Sequence, residues 1–379
     1  MQRVVVLGGG TGGTMVANLL GRRLRHEVEA GRLDLVQVVE SPLHTYQPGF
    51  LYMAFGLAPL DHYQRDQRSL LLPSVRLEVD RAVAIDPDAG RIHTLSGRAI
   101  GYDFLVLATG AVPTPSAVPG MAEGAHGFYT GQDALRLRDA LATFERGRIL
   151  LTVDVPHKCP VAPLEMTLTL DDYFRRLGRR EQVELVYTYP IGRLHSLASV
   201  ADWVGGLFEE RGIRSETFFN LEAVEPGTQK VRSLEGTEYD YDLLISVPPH
   251  RGAQVIQTSE LGDADGFVPT HRETLQALDH PNIYVLGDAT NLPVSKAGST
   301  AHYQADVVAE NLVANLAGKP APFRYDGKVF CFIEAGEEAA SYITFNYRQP
   351  PRPARPSPVL HWFKVAYNEI YWLSARGVL

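Results

Sequence analysis

Residues 4–13 read Val-Val-Val-Leu-Gly-Gly-Gly-Thr-Gly-Gly, an apolar run that leads directly into a glycine cluster. A short continuous apolar run is typical of a buried parallel strand. Gly8, Gly10 and Gly13 satisfy GxGxxG, in which glycines allow a tight turn and a close approach of the backbone to a pyrophosphate. The apolar spacing of residues 14–24 predicts a helix whose first N–H groups face that pyrophosphate. The stretch therefore predicts the first turn of a dinucleotide-binding fold.

An acidic residue follows the next predicted strand. Residues 33–39 are mostly apolar, and Glu40 comes directly after them. A carboxylate at this point of the fold binds the ribose hydroxyls of the nucleotide. Because Glu40 lies further from Gly13 than the roughly 20 residues that are usual, we expect a longer crossover helix that includes residues 26–29. Glu40 is the predicted ribose ligand.

Two further strands narrow the choice of nucleotide. Residues 104–110 read Phe-Leu-Val-Leu-Ala-Thr-Gly, and residues 283–289 read Ile-Tyr-Val-Leu-Gly-Asp-Ala. Each alone is only a strand and a turn. In this order, after an N-terminal GxGxxG, they resemble the flavoprotein superfamily that has two dinucleotide-binding domains. That resemblance implies FAD rather than NAD at the first site, with Asp288 at the ribityl-phosphate region of FAD.

The middle of the chain lacks a second glycine loop. Residues 148–155 form a predicted strand where the superfamily places its second nucleotide fold, but Pro156, Pro160 and Pro163 follow instead of GxGxxG. Proline has no backbone N–H to donate to a phosphate, which argues against NAD(P)H as the reductant.

The predicted fold is α/β, with two Rossmann-like domains, the first binding FAD and the second degenerate, and a C-terminal amphipathic helical element. The predicted limits are 1–110 with 250–320 for the FAD domain, 111–249 for the second domain, and 321–379 for the C-terminal region.

Composition excludes several classes of protein. The 379 residues are 45% hydrophobic and 21% charged, which excludes disorder as the main state. A net charge of −8 argues against general nucleic-acid binding. Two cysteines cannot form a disulfide framework or a four-cysteine zinc site, and no metal site is expected. The glycine cluster marks residues 4–21 as a phosphate loop, so we expect neither a signal peptide nor a membrane-spanning helix.

The two cysteines have different surroundings. Cys159 follows His157 and Lys158 and precedes a predicted helix. Neighbouring cations and a helix N-terminus favour the thiolate, so Cys159 is predicted to be reactive, with Glu165 as a nearby proton acceptor. Cys331 lies in a strand-like run, which alone favours an inert core position.

Motifs along nearly the whole chain resemble the sulfide:quinone oxidoreductase family. Lys-Cys-Pro and Ser-Lys-Ala-Gly are fairly specific, whereas GxGxxG and Gly-Asp-Ala belong to the superfamily. The chain has no third cysteine, which many relatives have, so a thioether to the flavin is not expected. The motifs are Tyr46-Gln47-Pro48-Gly49-Phe50, Lys158-Cys159-Pro160 with Ala162-Pro163 and Glu165, Val247-Pro248-Pro249, Gly266-Phe267-Val268-Pro269, Gly287-Asp288-Ala289, Ser295-Lys296-Ala297-Gly298 with Ala301-His302, and Cys331 with Glu334 and Gly336.

The resemblance implies a mechanism and a set of site residues. Cys159 and Cys331 would be a redox pair. Hydrosulfide would attack one sulfur of the pair and form a persulfide. Two electrons would then pass to FAD and from FAD to a quinone. Lys296 would stabilise the reduced flavin. His195 is predicted to lie in a solvated loop, with the alternative that it lines the sulfide pocket. The implied FAD-binding residues are Gly8, Gly10, Gly12, Gly13, Glu40, Ala82, Ala108, Thr109, Gly110, Gly287, Asp288, Lys296 and Gly298.

The C-terminal segment predicts an amphipathic helix. Its apolar residues share one face, and Lys364 and Asn368 lie opposite. Either the helix caps the flavin domain or it docks on a membrane, from which a quinone is collected; we favour docking, as a peripheral protein. Sulfide and quinone are the predicted substrates, and a homo-oligomer is left open. The alternatives are an NADH:quinone oxidoreductase or a flavoprotein subunit that passes electrons to a cytochrome. The apolar face consists of Val359, Trp362, Phe363, Ala366, Ile370 and Leu373.

Overall fold

The computed structural model describes residues 1–378. The strands in chain order are β1 Gln2–Leu7, β2 Leu33–Val39, β3 Leu43–Thr45, β4 Gln64–Asp66, β5 Arg76–Val79, β6 Ala82–Asp86, β7 Arg91–Thr94, β8 Ala99–Gly101, β9 Phe104–Leu107, β10 Ala111–Pro113, β11 Gly147–Val153, β12 Val183–Tyr189, β13 Arg214–Thr217, β14 Leu221–Glu225, β15 Lys230–Ser233, β16 Glu238–Asp240, β17 Leu243–Val247, β18 His250–Gly252, β19 Ile283–Val285, β20 Val329–Glu334 and β21 Ala340–Phe345. The α-helices are α1 Thr11–Arg23, α2 Arg25–Glu29, α3 Gly49–Ala54, α4 Gln67–Leu70, α5 Met121–Gly124, α6 Gly131–Thr143, α7 Ala162–Arg176, α8 Ala198–Glu210, α9 Gln254–Thr258, α10 Gly298–Leu316 and α11 Pro358–Ala375.

The first sheet carries the nucleotide motifs. Its order is β19-β9-β1-β2-β5, and every pairing is parallel. Val4 lies opposite Leu35 on one side and Phe104 on the other. Because the strands are parallel, the turns after β1, β9 and β19 meet at the same sheet edge, which is where such sheets bind ligands. The predicted strands are confirmed, and the long crossover is a helix broken into α1 and α2.

The second sheet positions the first cysteine. Its order is β13-β12-β11-β17, again parallel. The loop that follows β11 at the carboxyl edge of this sheet carries Cys159 and leads into α7. The antiparallel ribbon β10-β18 follows β9 on one strand and β17 on the other, so it joins the two sheets. The predicted α/β fold with two Rossmann-like sheets is confirmed.

The C-terminal region consists of the β20-β21 hairpin and α11. Cys331 lies on β20, which contacts both α7 and α10. Helix α11 packs its polar side inward, with Lys364 and Tyr371 buried, and exposes the predicted apolar face, on which Trp362 is 68% exposed. Within residues 1–378, no helix has the length and apolar character needed to cross a bilayer.

Candidate active site

Glycines shape the edge of the first sheet in two ways. Gly8 has φ +121°, and a Cβ there would lie 2.3 Å from the carbonyl oxygen of Ala108, while one at Gly13 would lie 2.2 Å from that of Gly8. These two glycines let the loop pack against β9. Gly10 and Gly298, in contrast, face open space, with no atom within 4 Å of an added Cβ. Neither α1 nor α10 has a side-chain N-cap, so free N–H groups of two long helices face this space.

The same edge encloses a cavity of about 250 Å³. Its open glycines and uncapped helices fit a pyrophosphate, and Thr109 Oγ1 is buried without a hydrogen-bond partner in the described chain. Gly8, Gly13 and Thr109 are not among the residues that line the cavity. Glu40 is exposed at the end of β2, 3.7 Å from Arg81, the residue that precedes Ala82. Neither Glu40 nor Ala82 lines the cavity. The predicted FAD-binding residues that line the cavity are Gly10, Gly12, Ala108, Gly110, Gly287, Asp288, Lys296 and Gly298.

Lys296 lies in the cavity wall. Its Nζ donates to the backbone oxygens of Asp288 at 2.9 Å and Thr290 at 2.6 Å, and lies 3.7 Å from the centre of the Phe267 ring. Burial lowers the pKa of Lys296 to about 8. Burial also raises the pKa of Asp288, against the opposing charges of Lys158 and Lys296. Lys296 is therefore a cation that is able to give up a proton near neutral pH.

Both cysteines line the cavity, although they come from distant parts of the chain, and both are free thiols. Cys159 has φ +49°, a left-handed conformation that is uncommon outside glycine. Its N–H donates to Lys296 O at 2.5 Å, and its carbonyl accepts from Ala162 N at 2.9 Å. Backbone hydrogen bonds thus fix this thiol beside Lys296 and the start of α7.

The prediction of a thiolate at Cys159 was wrong. Lys158 turns away and donates to Ala111 O at 3.1 Å, and burial lowers the pKa of His157 to about 4, which leaves it neutral. Helix α7 begins at Ala162, so Cys159 lies before its N-terminus. Burial raises the pKa of Cys159 well above its usual value and that of Cys331 to about 12. Adjacency in sequence did not place the cations at the sulfur, and burial favours the protonated form of both thiols.

Glu165 belongs to a buried cluster of charges. Its carboxylate pairs with Lys364 of α11 and accepts from Glu334 N at 2.8 Å. Burial raises the pKa of Glu165 despite the opposing charge of Lys364. Burial alone would lower the pKa of Lys364, but Glu165, Tyr52 and Glu334 together raise it above its usual value. Lys364 was missed as a site residue, because the sequence shows only that it lies on the polar side of its helix.

Aromatic side chains form the rest of the wall, and α11 is part of it. Tyr46 OH donates to Asn368 at 2.6 Å, and Tyr371 OH lies 2.9 Å from Thr11 Oγ1 and 2.6 Å from the ring of His44. Helix α11 is thereby tied to the glycine loop. The aromatic residues that line the cavity are Tyr46, Phe50, Phe128, Tyr129, Phe330, Phe332, Tyr367 and Tyr371.

His195 does not lie in a solvated loop. It is fully buried, and its Nδ1 accepts from Leu197 N at 3.0 Å. The prediction of a solvated histidine was wrong because the segment before α8 folds inward. His195 is not among the residues that line the cavity, so the structure lends no support to the alternative that it lines the sulfide pocket, which stays an untested prediction.

Comparisons with known proteins agree with the nucleotide-binding fold and with the motifs around the two cysteines. A family model described as pyridine nucleotide-disulphide oxidoreductase matches residues 2–151. The mitochondrial sulfide:quinone oxidoreductase of Mus musculus is 27% identical over 365 residues, covering 93% of this chain and 80% of that protein. The sulfide-quinone reductase of Aquifex aeolicus (strain VF5) is 25% identical over 411 residues, covering 99% and 91%. The X-ray structure of the sulfide:quinone oxidoreductase from Aquifex aeolicus superposes with a TM-score of 0.89 at 24% identity, covering 100% of this chain and 92% of that one, and shares its fold. The resemblance indicated by the motifs is confirmed.

Proposed function

We propose that this chain, a homologue of the sulfide:quinone oxidoreductases, is itself an FAD-dependent enzyme that oxidises sulfide and reduces a quinone. The observation that carries the proposal is that Cys159 and Cys331 line one cavity together with the uncapped glycine edge of the first sheet. The absence of a glycine loop between β11 and α7 favours sulfide over NADH as the electron donor.

Several groups of the chain are suited to hold FAD. Gly10, Gly12 and the start of α1 would hold the pyrophosphate, Asp288 the ribityl-phosphate region, and Glu40 beside Ala82 the adenosine ribose. When bound, FAD accepts two electrons from a thiol donor and passes them on to a quinone. Lys296 would place its ammonium where the reduced ring carries negative charge. We also propose that the domain limits given above separate this unit from the second sheet and the C-terminal region.

Sulfide would react with the oxidised form of the cysteine pair. Attack of hydrosulfide on the disulfide breaks the S–S bond and yields a persulfide on Cys159 and a thiolate on Cys331. Because burial raises the pKa of Cys331 to about 12, this thiolate is poorly stabilised and is a strong electron donor. Glu165, on the same cavity wall, would accept the proton that hydrosulfide loses.

The quinone would enter beside α11. The inward side of the helix supplies Tyr367 and Lys364 to the cavity, and the outward side exposes Trp362 and Phe363. An exposed apolar helix face flanked by aromatic residues is typical of proteins that lie on a bilayer. We propose that α11 docks on the membrane and brings the cavity to the depth at which quinones dissolve.

Anaerobic titration of the flavin-loaded protein tests the function. We expect sulfide to bleach the flavin absorbance and a short-chain ubiquinone to restore it, whereas NADH leaves it unchanged. Cys159→Ser and Cys331→Ser should abolish bleaching by sulfide but not by dithionite. Bleaching by NADH, or bleaching by sulfide that survives both substitutions, would contradict the proposal.

A further inference from the structure

A chain of polar side chains leads from the cavity to the surface of the protein. Glu165 and Lys364 line the cavity. Glu334 Oε1 lies 3.7 Å from Lys364 Nζ, and Glu334 Oε2 lies 3.0 Å from His361 Nδ1. Tyr52 OH donates to Glu334 Oε1 at 2.7 Å. Neither Glu334 nor His361 is part of the cavity wall, so the cluster extends beyond the cavity.

The outermost member of this chain is also its most exposed one. The side chains of Glu165, Lys364 and Glu334 are 7%, 9% and 3% exposed, and that of His361 is 18% exposed. His361 lies on α11 near Lys364 and is the point at which water meets the cluster. Neighbouring side chains of the cluster lie no more than 3.7 Å apart. These groups, which are able to gain and lose protons, therefore form a continuous path.

The charges of the cluster do not cancel without an extra proton. Two carboxylates, Glu165 and Glu334, share one ammonium, Lys364, in a place where uncompensated charge is costly. The other titratable groups that face them are three tyrosines, both thiols and one histidine: Tyr46, Tyr52, Tyr129, Cys159, Cys331 and His361. When His361 carries a proton, the four side chains together are neutral, and when that proton leaves, they carry one negative charge. The cluster therefore holds one proton that it is able to pass on.

We propose that His361 and Glu334 relay protons from solvent to Glu165 and Lys364, which deliver them to the quinone. This inference rests on the proposed function, since it needs quinone as the acceptor. Per turnover, hydrosulfide, one proton and a quinone give sulfane sulfur and a quinol. Sulfide loses two electrons, the quinone gains them, and two O–H bonds form. One of the two protons comes from hydrosulfide, and the relay supplies the other. His361 and Glu334 are positioning residues, because they act through Lys364 and Glu165.

The test isolates the quinone half-reaction. Flavin-loaded protein is reduced with dithionite instead of sulfide and mixed with a short-chain ubiquinone in a stopped-flow instrument. We expect Glu334→Gln and His361→Ala to slow reoxidation of the flavin about 10- to 100-fold, which is less than the roughly 10²- to 10⁴-fold typical of a direct acid–base catalyst, because both residues act through Lys364 and Glu165. Imidazole should restore the rate of His361→Ala, and the pH profile of both variants should lose one ionisation. The matched control is His62→Gln, since His62 and Glu369 form an exposed pair at 3.2 Å, and it should reoxidise like the wild type.

A second readout does not depend on turnover. In spectra of the protein labelled with [15N]histidine, Glu334→Gln should move the His361 ring signals, because Glu334 Oε2 lies 3.0 Å from His361 Nδ1. Wild-type reoxidation rates in both variants would overturn the relay, and so would a slowing that imidazole does not rescue and that leaves the pH profile unchanged. Failure of sulfide to bleach the wild-type flavin would instead overturn the proposed function, because the dithionite experiment does not use sulfide.

Discussion

Replacing Lys364 with methionine should destabilise the protein strongly. Lys364 is 9% exposed, and it pairs with Glu165 and lies 3.7 Å from Glu334, which are 7% and 3% exposed. Lys364→Met keeps the bulk of the side chain but leaves two buried carboxylates without their cation. Removing one partner of a buried pair costs about 3–5 kcal/mol, and we expect a loss of that size at neutral pH. Adding Glu165→Gln to Lys364→Met should recover most of it.

The loss should depend on pH in a defined direction. Burial raises the pKa of Glu165 above its ordinary value of 4.5, and the charge of Lys364 opposes that rise. Without Lys364 the folded-state pKa of Glu165 rises further. A group whose pKa is higher in the folded state stabilises the fold below its unfolded pKa, and this contribution is lost as pH rises through the folded pKa. The deficit of Lys364→Met should therefore be small near pH 4.5 and grow toward neutral pH.

Urea unfolding of the flavin-loaded protein between about pH 4.5 and 8 measures this deficit. The control is Lys230→Met, because Lys230 forms an exposed pair with Asp240 at 3.7 Å and contributes little. The reasoning is refuted if Lys364→Met costs no more than Lys230→Met, or if its cost does not shrink on acidification.

Three further predictions concern the cavity and α11. Gly10→Ala places its Cβ in open space, so we expect the thermal stability of the flavin-free protein to be unchanged and its flavin content, measured by absorbance, to fall. Gly13→Ala places its Cβ 2.2 Å from a backbone oxygen and should lower both the thermal stability and the flavin content. Tyr371→Phe removes a hydroxyl with two partners and should cost about 1–3 kcal/mol in urea unfolding; an unchanged midpoint would contradict this. The double substitution Trp362→Glu with Phe363→Glu should abolish flotation with liposomes while sulfide still bleaches the flavin; flotation that persists would exclude α11 as the docking surface.

Strand positions were predictable from the sequence because the sequences of buried parallel strands are unbroken apolar runs. Residues 33–39 coincide with β2, and the turn after β1 could be read from its glycines. The start of α7 was less certain, since Pro160 suggested a helix that begins beside Cys159, whereas the observed first residue is Ala162. Residues such as proline indicate that a helix follows, but they do not specify its first residue.

The chemistry of the site was harder to predict, because it depends on which groups face each other. Cys159 follows two basic residues, yet one is neutral and the other turns to a backbone oxygen. Lys364 was predicted to lie opposite the apolar face, which is correct, but in this helix the polar side is the buried one. Nothing in the spacing of α11 distinguishes a helix that hides its apolar face from one that displays it.

The hydroxyl of Tyr371 joins two parts of the molecule that have separate tasks. It touches Thr11 in the turn that would cradle the nucleotide, and it belongs to the helix that would rest on lipid. Free-energy coupling between two binding events is reciprocal. If occupancy of the cradle steadies this tyrosine, then a lipid-bound protein retains its nucleotide more tightly, and a molecule that has lost its nucleotide leaves the bilayer more readily.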